Sequence, residues 1–346
     1  MHIKSKAPLA FALVWIAFSI VSYAIMITII GDGSFDFFPR WYGARAALQS
    51  AENPYSPEVS RRALAEIGYG PHRFLYPANI IWTLLPFWLL PFPVAISAWM
   101  GLQLTLSVAL PGLVFRLLDW EIRPRSVLAI VLLSTVGFRH TFNAYALGQF
   151  VVFVLTCLVL AWFALSERKT WLAVPVLLAA PIRPEAALMV SGLLLLALWM
   201  RHFRVVVLWL VGMGSIFILT LMHIGFWIPD FFTGVGEYWA HYTATNLYEL
   251  VSPPFSYVFA LSVVAWALWM IWQTRTLPDR MRLAWGLAAI IITFLLVSPQ
   301  SKHYTLVYTL FPTWLIWWAG RDSRWNGVLP AMILVSPWFF LLLTFA

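Results

Sequence analysis

The chain has 346 residues, of which 62% are hydrophobic and 10% charged; mean hydropathy is +0.83 and formal net charge +8. A soluble domain is nearer half apolar and a quarter charged, so composition excludes that class and indicates an integral membrane protein. The basic balance does not indicate nucleic acid as a partner, because the charges are strung between apolar segments rather than clustered.

The long apolar runs do not alternate at period two, which excludes a barrel and leaves an all-α, polytopic transmembrane helical bundle. Twenty-one Trp suit such a bundle, since indoles collect at the two membrane interfaces. The single Cys157 lies inside an apolar run and supports neither an internal disulfide nor a cysteine metal cluster.

Taken in chain order, "MHIKSKAPLAFALVWIAFSIVSYAIMITII" reads as a retained first helix, because no small-residue cleavage site precedes the next loop. Residues 31–93 follow as a first extracytoplasmic loop with juxtamembrane helices. Within it, 76–93 carries Pro86, Pro91 and Pro93, which would break a continuous helix, so a juxtamembrane or re-entrant element is expected. Further apolar runs cover roughly 94–117, 126–142, 149–165, 170–182, 186–200, 205–224, 255–272, 283–298, 304–319 and 327–345. The two around the break "PIRPE" are short for a full crossing. Residues 225–254 form a second long extracytoplasmic loop. The count is about eleven crossings (ten to twelve, depending on 76–93), in a single integral membrane domain over 1–346.

Side assignment follows from charge. The N-terminus and the connections "RLLDWEIRPR", "SERK", "RHFR", "QTRTLPDRMR" and "GRDSRWN" hold 14 Lys/Arg against 5 Asp/Glu. The opposite side holds 8 against 9, so the first group is cytoplasmic.

Ionisable groups at membrane depth or at its mouth are costly and mark candidate sites. "GDGSFDFFPRWYGARAAL" places Asp32 and Asp36 one helical turn apart, with Arg40 one turn further on. One reading is an interfacial helix with an acidic cap and snorkelling arginines. The other makes Asp36 a general base that deprotonates an acceptor hydroxyl. "RFLYPA" offers Arg73 and Tyr76, as a membrane anchor or as a wall with Arg73 facing a phosphate. "FRHTFNAYALGQF" offers Asn143 and Gln149, as a plain turn or as cavity-lining groups for sugar hydroxyls. "PIRPEAAL" offers Arg183, either paired with Glu185 or holding a phosphate. "SPQSKHYTLVY" offers Lys302 for charge pairing and His303 for proton work, against simple helix capping by its serines. P-loop, HExxH, dinucleotide-glycine and Gly-x-Ser-x-Gly fingerprints are missing, so no cofactor is expected; Asp32 and Asp36 do not form a tight Asp-x-Asp, so the sequence allows a divalent metal without supporting one.

The order of these elements resembles one family. "DFFPRWYGARAALQSAENPYSP" is similar to the opening of the glycosyltransferase family 87 proteins, polytopic GT-C enzymes that include polyprenol-phosphate-mannose-dependent α-mannosyltransferases. "FLYPA" resembles the family's Tyr-Pro-Pro element, "ALGQF" its Gly-Gln, "PIRPE" its basic residue before Pro, and "LVSPQSKHY" its Ser-Pro-x-Ser-x-x-His. The departures are Ala78 for the second Pro, Arg183 for the more usual Lys, and Lys302 where the family has Trp.

The resemblance implies Asp36 as catalytic base, His303 at the active site and Arg183 near the donor phosphate; Lys302 and Arg73 are further candidate phosphate cations on the reading of the residues alone. It implies a polyprenyl-phosphate sugar donor, a lipid or glycan acceptor, membrane lipids around the chain, and an extracytoplasmic active site in a bacterial plasma membrane. The alternatives are a lipid-linked glycan ligase or polymerase, or a transporter or lipid flippase. A transporter calls for charged or broken helices near the midplane and often for an inverted repeat. Convergence of Asp36, His303 and Arg183 on one outer cavity separates these readings.

Overall fold

In a computed structural model, residues 36–67, 73–121, 124–241, 254–298, 303–323 and 328–345 are described; among them every regular element is helical. The expected first helix, Asp32 and Lys302 lie outside the described residues.

The helices are α1 (Phe37–Ser50), α2 (Pro57–Ile67), α3 (Asn79–Thr83), α4 (Leu85–Trp88), α5 (Phe92–Leu117) and α6 (Pro124–Leu132). A π turn at Leu133–Gly137 separates α6 from α7 (Arg139–Ala146), and α8 (Val151–Ser166) follows. Next come α9 (Thr170–Ala179), a 3₁₀ turn at Ala180–Ile182, α10 (Pro184–Trp199), α11 (Phe203–Ile224) and α12 (Ile228–His241). The chain continues through α13 (Phe255–Gln273) and α14 (Asp279–Val297) to a 3₁₀ segment His303–Thr309, then α15 (Leu310–Ala319) and α16 (Val328–Phe345).

Four of the described helices are long and apolar enough to cross a membrane: Phe92–Leu117, Phe203–Ile224, Phe255–Thr276 and Asp279–Val297. The pair Ser126–Thr135 and Arg139–Ala146, bent by 55°, makes a fifth if it counts as one span. This is fewer than the run count suggested, for a geometric reason. Val151–Ser166 has 16 residues and rises about 24 Å, less than the roughly 30 Å hydrocarbon core. The run at 304–319 opens as a 3₁₀ segment, and only Leu310–Ala319 is α-helical.

Residues 76–93 form no single helix. They hold α3 and α4, and their prolines sit at helix starts, Pro86 in the first turn of α4, Pro91 capping α5 and Pro93 in its first turn.

Burial separates centre from periphery. α8 is buried on nearly every side, matching its uniformly apolar sequence. α11 and α13 are equally apolar yet largely exposed, with Leu210, Met222, Leu261 and Leu268 all on the outside. Exposed apolar helices of this length are compatible with an integral membrane protein.

The ends of α8 define the two ends of the bundle. Beyond its C-terminus, Arg280 donates to the Leu117 carbonyl at 3.1 Å, to Asp119 at 3.0 Å and to Glu167 at 3.0 Å. Three of the basic connections grouped by charge therefore meet at one residue. Around its N-terminus gather α1, the 73–78 segment, the start of α10 and the 303–309 segment. The 31–93 and 225–254 regions also touch at this end. Asn53 donates to Asp230 at 2.6 Å, Arg73 pairs with Glu237, and Tyr55 stacks on Trp227 at 5.3 Å.

Gly43 sets how closely the 73–78 segment lies on α1. A Cβ there would sit 2.6 Å from the Phe74 ring. Gly43→Ala is expected to push the ring aside and lower stability by about 1–3 kcal/mol, read as a thermal-unfolding shift in detergent.

Candidate active site

Asp36 immediately precedes α1, at the position where an acidic residue would cap the helix. It does not do so; no side-chain cap hydrogen bond forms. Its carboxylate instead accepts from Gln149 Nε2, 113 residues away, and lies 3.7 Å from Arg40 Nη2. The Asp36 side chain keeps 35% of its surface exposed. Oδ1 has no hydrogen bond among the described residues.

Arg40 does not snorkel. One turn along α1 it turns inward to 7% exposure, donates to the Tyr76 hydroxyl at 2.5 Å, and stacks on that ring at 4.1 Å and on Phe150 at 5.4 Å. Burial holds the Tyr76 phenol above its ordinary range, against the pull of Arg183 and Arg40. It therefore serves as a neutral hydroxyl that accepts from Arg40 and donates to Gln149 Oε1 at 3.4 Å.

Gln149 is the hub, and local structure explains why it points inward. Gly148 adopts φ +60°, closing the turn between α7 and α8 with Gly148 N–H to the Tyr145 carbonyl and Gln149 N–H to the Ala144 carbonyl, both 2.8 Å. A Cβ on Gly148 would meet Phe37 Cβ at 3.0 Å, so glycine also permits α1 to close on this turn. Gln103, from α5, donates to the Gln149 carbonyl, and Trp99 Nε1 donates to that of Gly148 at 3.2 Å. Fully buried, the Gln149 side chain donates to Asp36 and accepts from Arg183 Nη1.

Arg183 caps α10 in extended conformation, a geometry imposed by the following Pro184. Its Nε donates to Glu185, and its guanidinium faces the rings of Tyr304 at 5.0 Å and Tyr76 at 5.7 Å. Arg183 and Glu185 are 5% and 9% exposed.

The result is a chain of groups from Asp36 through Gln149 and Arg183 to Glu185, with Arg40 and Tyr76 alongside. Two arginines balance two carboxylates, so the cluster is neutral overall, as burial demands. Only Asp36 combines an ionisable group with substantial access from outside.

Of the residues selected from sequence, Asp36, Arg40, Tyr76, Gln149 and Arg183 meet here. His303 opens the 303–309 segment, one residue before Tyr304. Arg73 is exposed and paired with Glu237, outside this network. Asn143 lies on α7, half-buried, and its side chain makes no hydrogen bond among the described residues. Sequence reading missed Tyr304, Phe150 and Gln103, and weighed Glu185 only as a local partner of Arg183. A lone amide inside the apolar run 94–117 was the available signal for Gln103. Among the described residues no three His, Cys, Asp or Glu side chains gather as metal ligands.

Gln149→Leu removes the link between Asp36 and Arg183. It is expected to cost about 1–3 kcal/mol, because buried donors lose their partner, as a lowered unfolding midpoint will show.

No family model matches the chain, nor does any curated protein or solved structure.

Proposed function

We propose that this protein is a GT-C-type membrane glycosyltransferase of about eleven spans. It moves a hexose, mannose foremost, from a polyprenyl phosphate to a lipid or glycan hydroxyl at the extracytoplasmic face. The observation that carries this reading is the meeting of Asp36, Gln149 and Arg183, drawn from three separate motifs, around one open carboxylate. The five family-like motifs, in their order along the chain, supply the substrate class.

In this mechanism the acceptor hydroxyl gives its proton to Asp36 Oδ1 while its oxygen bonds to the anomeric carbon. The bond from that carbon to the phosphate oxygen breaks, and the electron pair leaves with polyprenyl phosphate. One carboxylate and one displacement invert the centre, so a β-linked donor gives an α-linked product. Arg183, whose Nη2 has no hydrogen bond among the described residues, and Lys302 stabilise the charge on the leaving phosphate. His303, which the family resemblance implies at the active site, is assigned proton or hydroxyl work.

A second reading, a transporter or flippase, draws on the buried charges of the same network. The test is to incubate the purified protein with a panel of radiolabelled polyprenyl-phosphate sugars and an acceptor-lipid extract. Formation of a new glycosidic bond supports the transferase. Transbilayer movement of the intact donor in vesicles, with no new bond, replaces it with the flippase.

A further inference from the structure

An apolar groove of about 700 Å³ runs between α10, α13 and α14; it starts at Leu188, about one helical turn past Glu185, and none of its lining residues belongs to the Asp36 network. Leu188, Leu195, Leu268 and Phe294 are among its lining residues, and Trp199 and Trp272 mark its far end. Leu188, Leu195 and Leu268 are 62%, 67% and 63% exposed, so the groove opens sideways to whatever surrounds the bundle. From Leu188 to Trp199 along α10 it extends roughly 16 Å, about half the hydrocarbon thickness of a bilayer. That length suits one chain of a single leaflet.

At the Trp199–Trp272 end Arg275 lies over Trp272 at 4.5 Å and Arg282 faces Trp199 at 5.7 Å. Arg282 also donates to the Arg275 and Leu277 carbonyls at 2.8 and 3.2 Å, fixing it beside the end of α13. Its Nε is buried without a partner. One carboxylate, Asp279, lies 3.7 Å from Arg282 and also 3.7 Å from Arg168, so it neutralises only part of the charge. Arg275 has no acidic partner among the described residues. Two aromatic rings carrying cations at the mouth of an apolar groove match a lipid phosphate above its chain.

We infer that this groove holds an acyl chain of an anionic phospholipid from the leaflet at the Trp199–Trp272 end, with the phosphate between Arg275 and Arg282. The site is separate from the transferase chemistry and stands or falls independently of it.

The test is lipid retention by native mass spectrometry of the full chain in detergent, titrated with phosphatidylglycerol, phosphatidylcholine or polyprenyl phosphate. The expected result is preferential retention of phosphatidylglycerol over phosphatidylcholine with the same chains. Each arginine contributes roughly fivefold, so Arg275→Gln with Arg282→Gln reduces the preference by about 25-fold. Ala267→Trp, which fills the groove, removes retention of both lipids. Arg275→Gln alone, an exposed change that leaves the Arg282 bonds intact, guards against misfolding and should lose about fivefold. Equal retention of the two phospholipids, or an unchanged preference in Arg275→Gln, overturns the proposal. Displacement of phosphatidylglycerol by polyprenyl phosphate, insensitive to either arginine, overturns it in favour of a donor-lipid groove.

Discussion

Asp36→Asn is expected to lower sugar transfer by roughly a thousandfold or more while donor binding stays within a few-fold of the parent. The amide matches the carboxylate in size, so α1 and the 73–78 segment remain in place. The substitution removes the more exposed of the cluster's two carboxylates, 35% against 9% for Glu185, and with it the proposed proton acceptor. It also leaves Arg40 facing a neutral group, so thermal unfolding should be measured alongside turnover. A stable protein with lost transfer and retained donor binding is the expected pattern. Near-normal turnover would remove Asp36 from the chemistry and return it to a structural role.

The second large effect concerns the Arg183–Glu185 pair. Glu185→Ala strands a buried guanidinium and is expected to destabilise the protein by about 3–5 kcal/mol. Arg183→Met strands the carboxylate and should cost a similar amount. Replacing both, as Arg183→Met with Glu185→Leu, removes the charges together and should recover most of that stability. On the proposed mechanism transfer activity should not recover, because the guanidinium assigned to the leaving phosphate is gone. Recovery of both stability and activity in the double variant would show that the pair only holds α10 in place.

The residues behind both predictions stand out in the amino-acid sequence. Asp36, Gln149 and Arg183 each interrupt or border an apolar run, where a polar group costs enough to require a reason. The arrangement "ALGQF" is also legible locally, since a glycine between two helical stretches signals a tight turn. Pro86, Pro91 and Pro93 argue against one continuous helix over 76–93, and each lies at a helix start instead.

Helix lengths are less legible. Apolar periodicity cannot distinguish a run that ends in a π or 3₁₀ turn from one that stays α-helical, so 126–142 and 304–319 both read as single spans. The character of Arg40 is hidden as well. An arginine one turn from an acid reads as a surface pair, and only the rings of Tyr76 and Phe150 explain its burial.

By itself, the sequence determined an all-helical chain suited to a membrane and the small set of polar residues that need partners, because composition, run length and the cost of burying charge are local properties. Tertiary structure alone decided which partners they found. It sent Arg73 to Glu237, balanced Arg183 with Glu185, and freed Asp36 from its helix cap for Gln149. Those pairings join elements far apart in the chain, and a buried charge settles on whichever partner packing brings within hydrogen-bond reach.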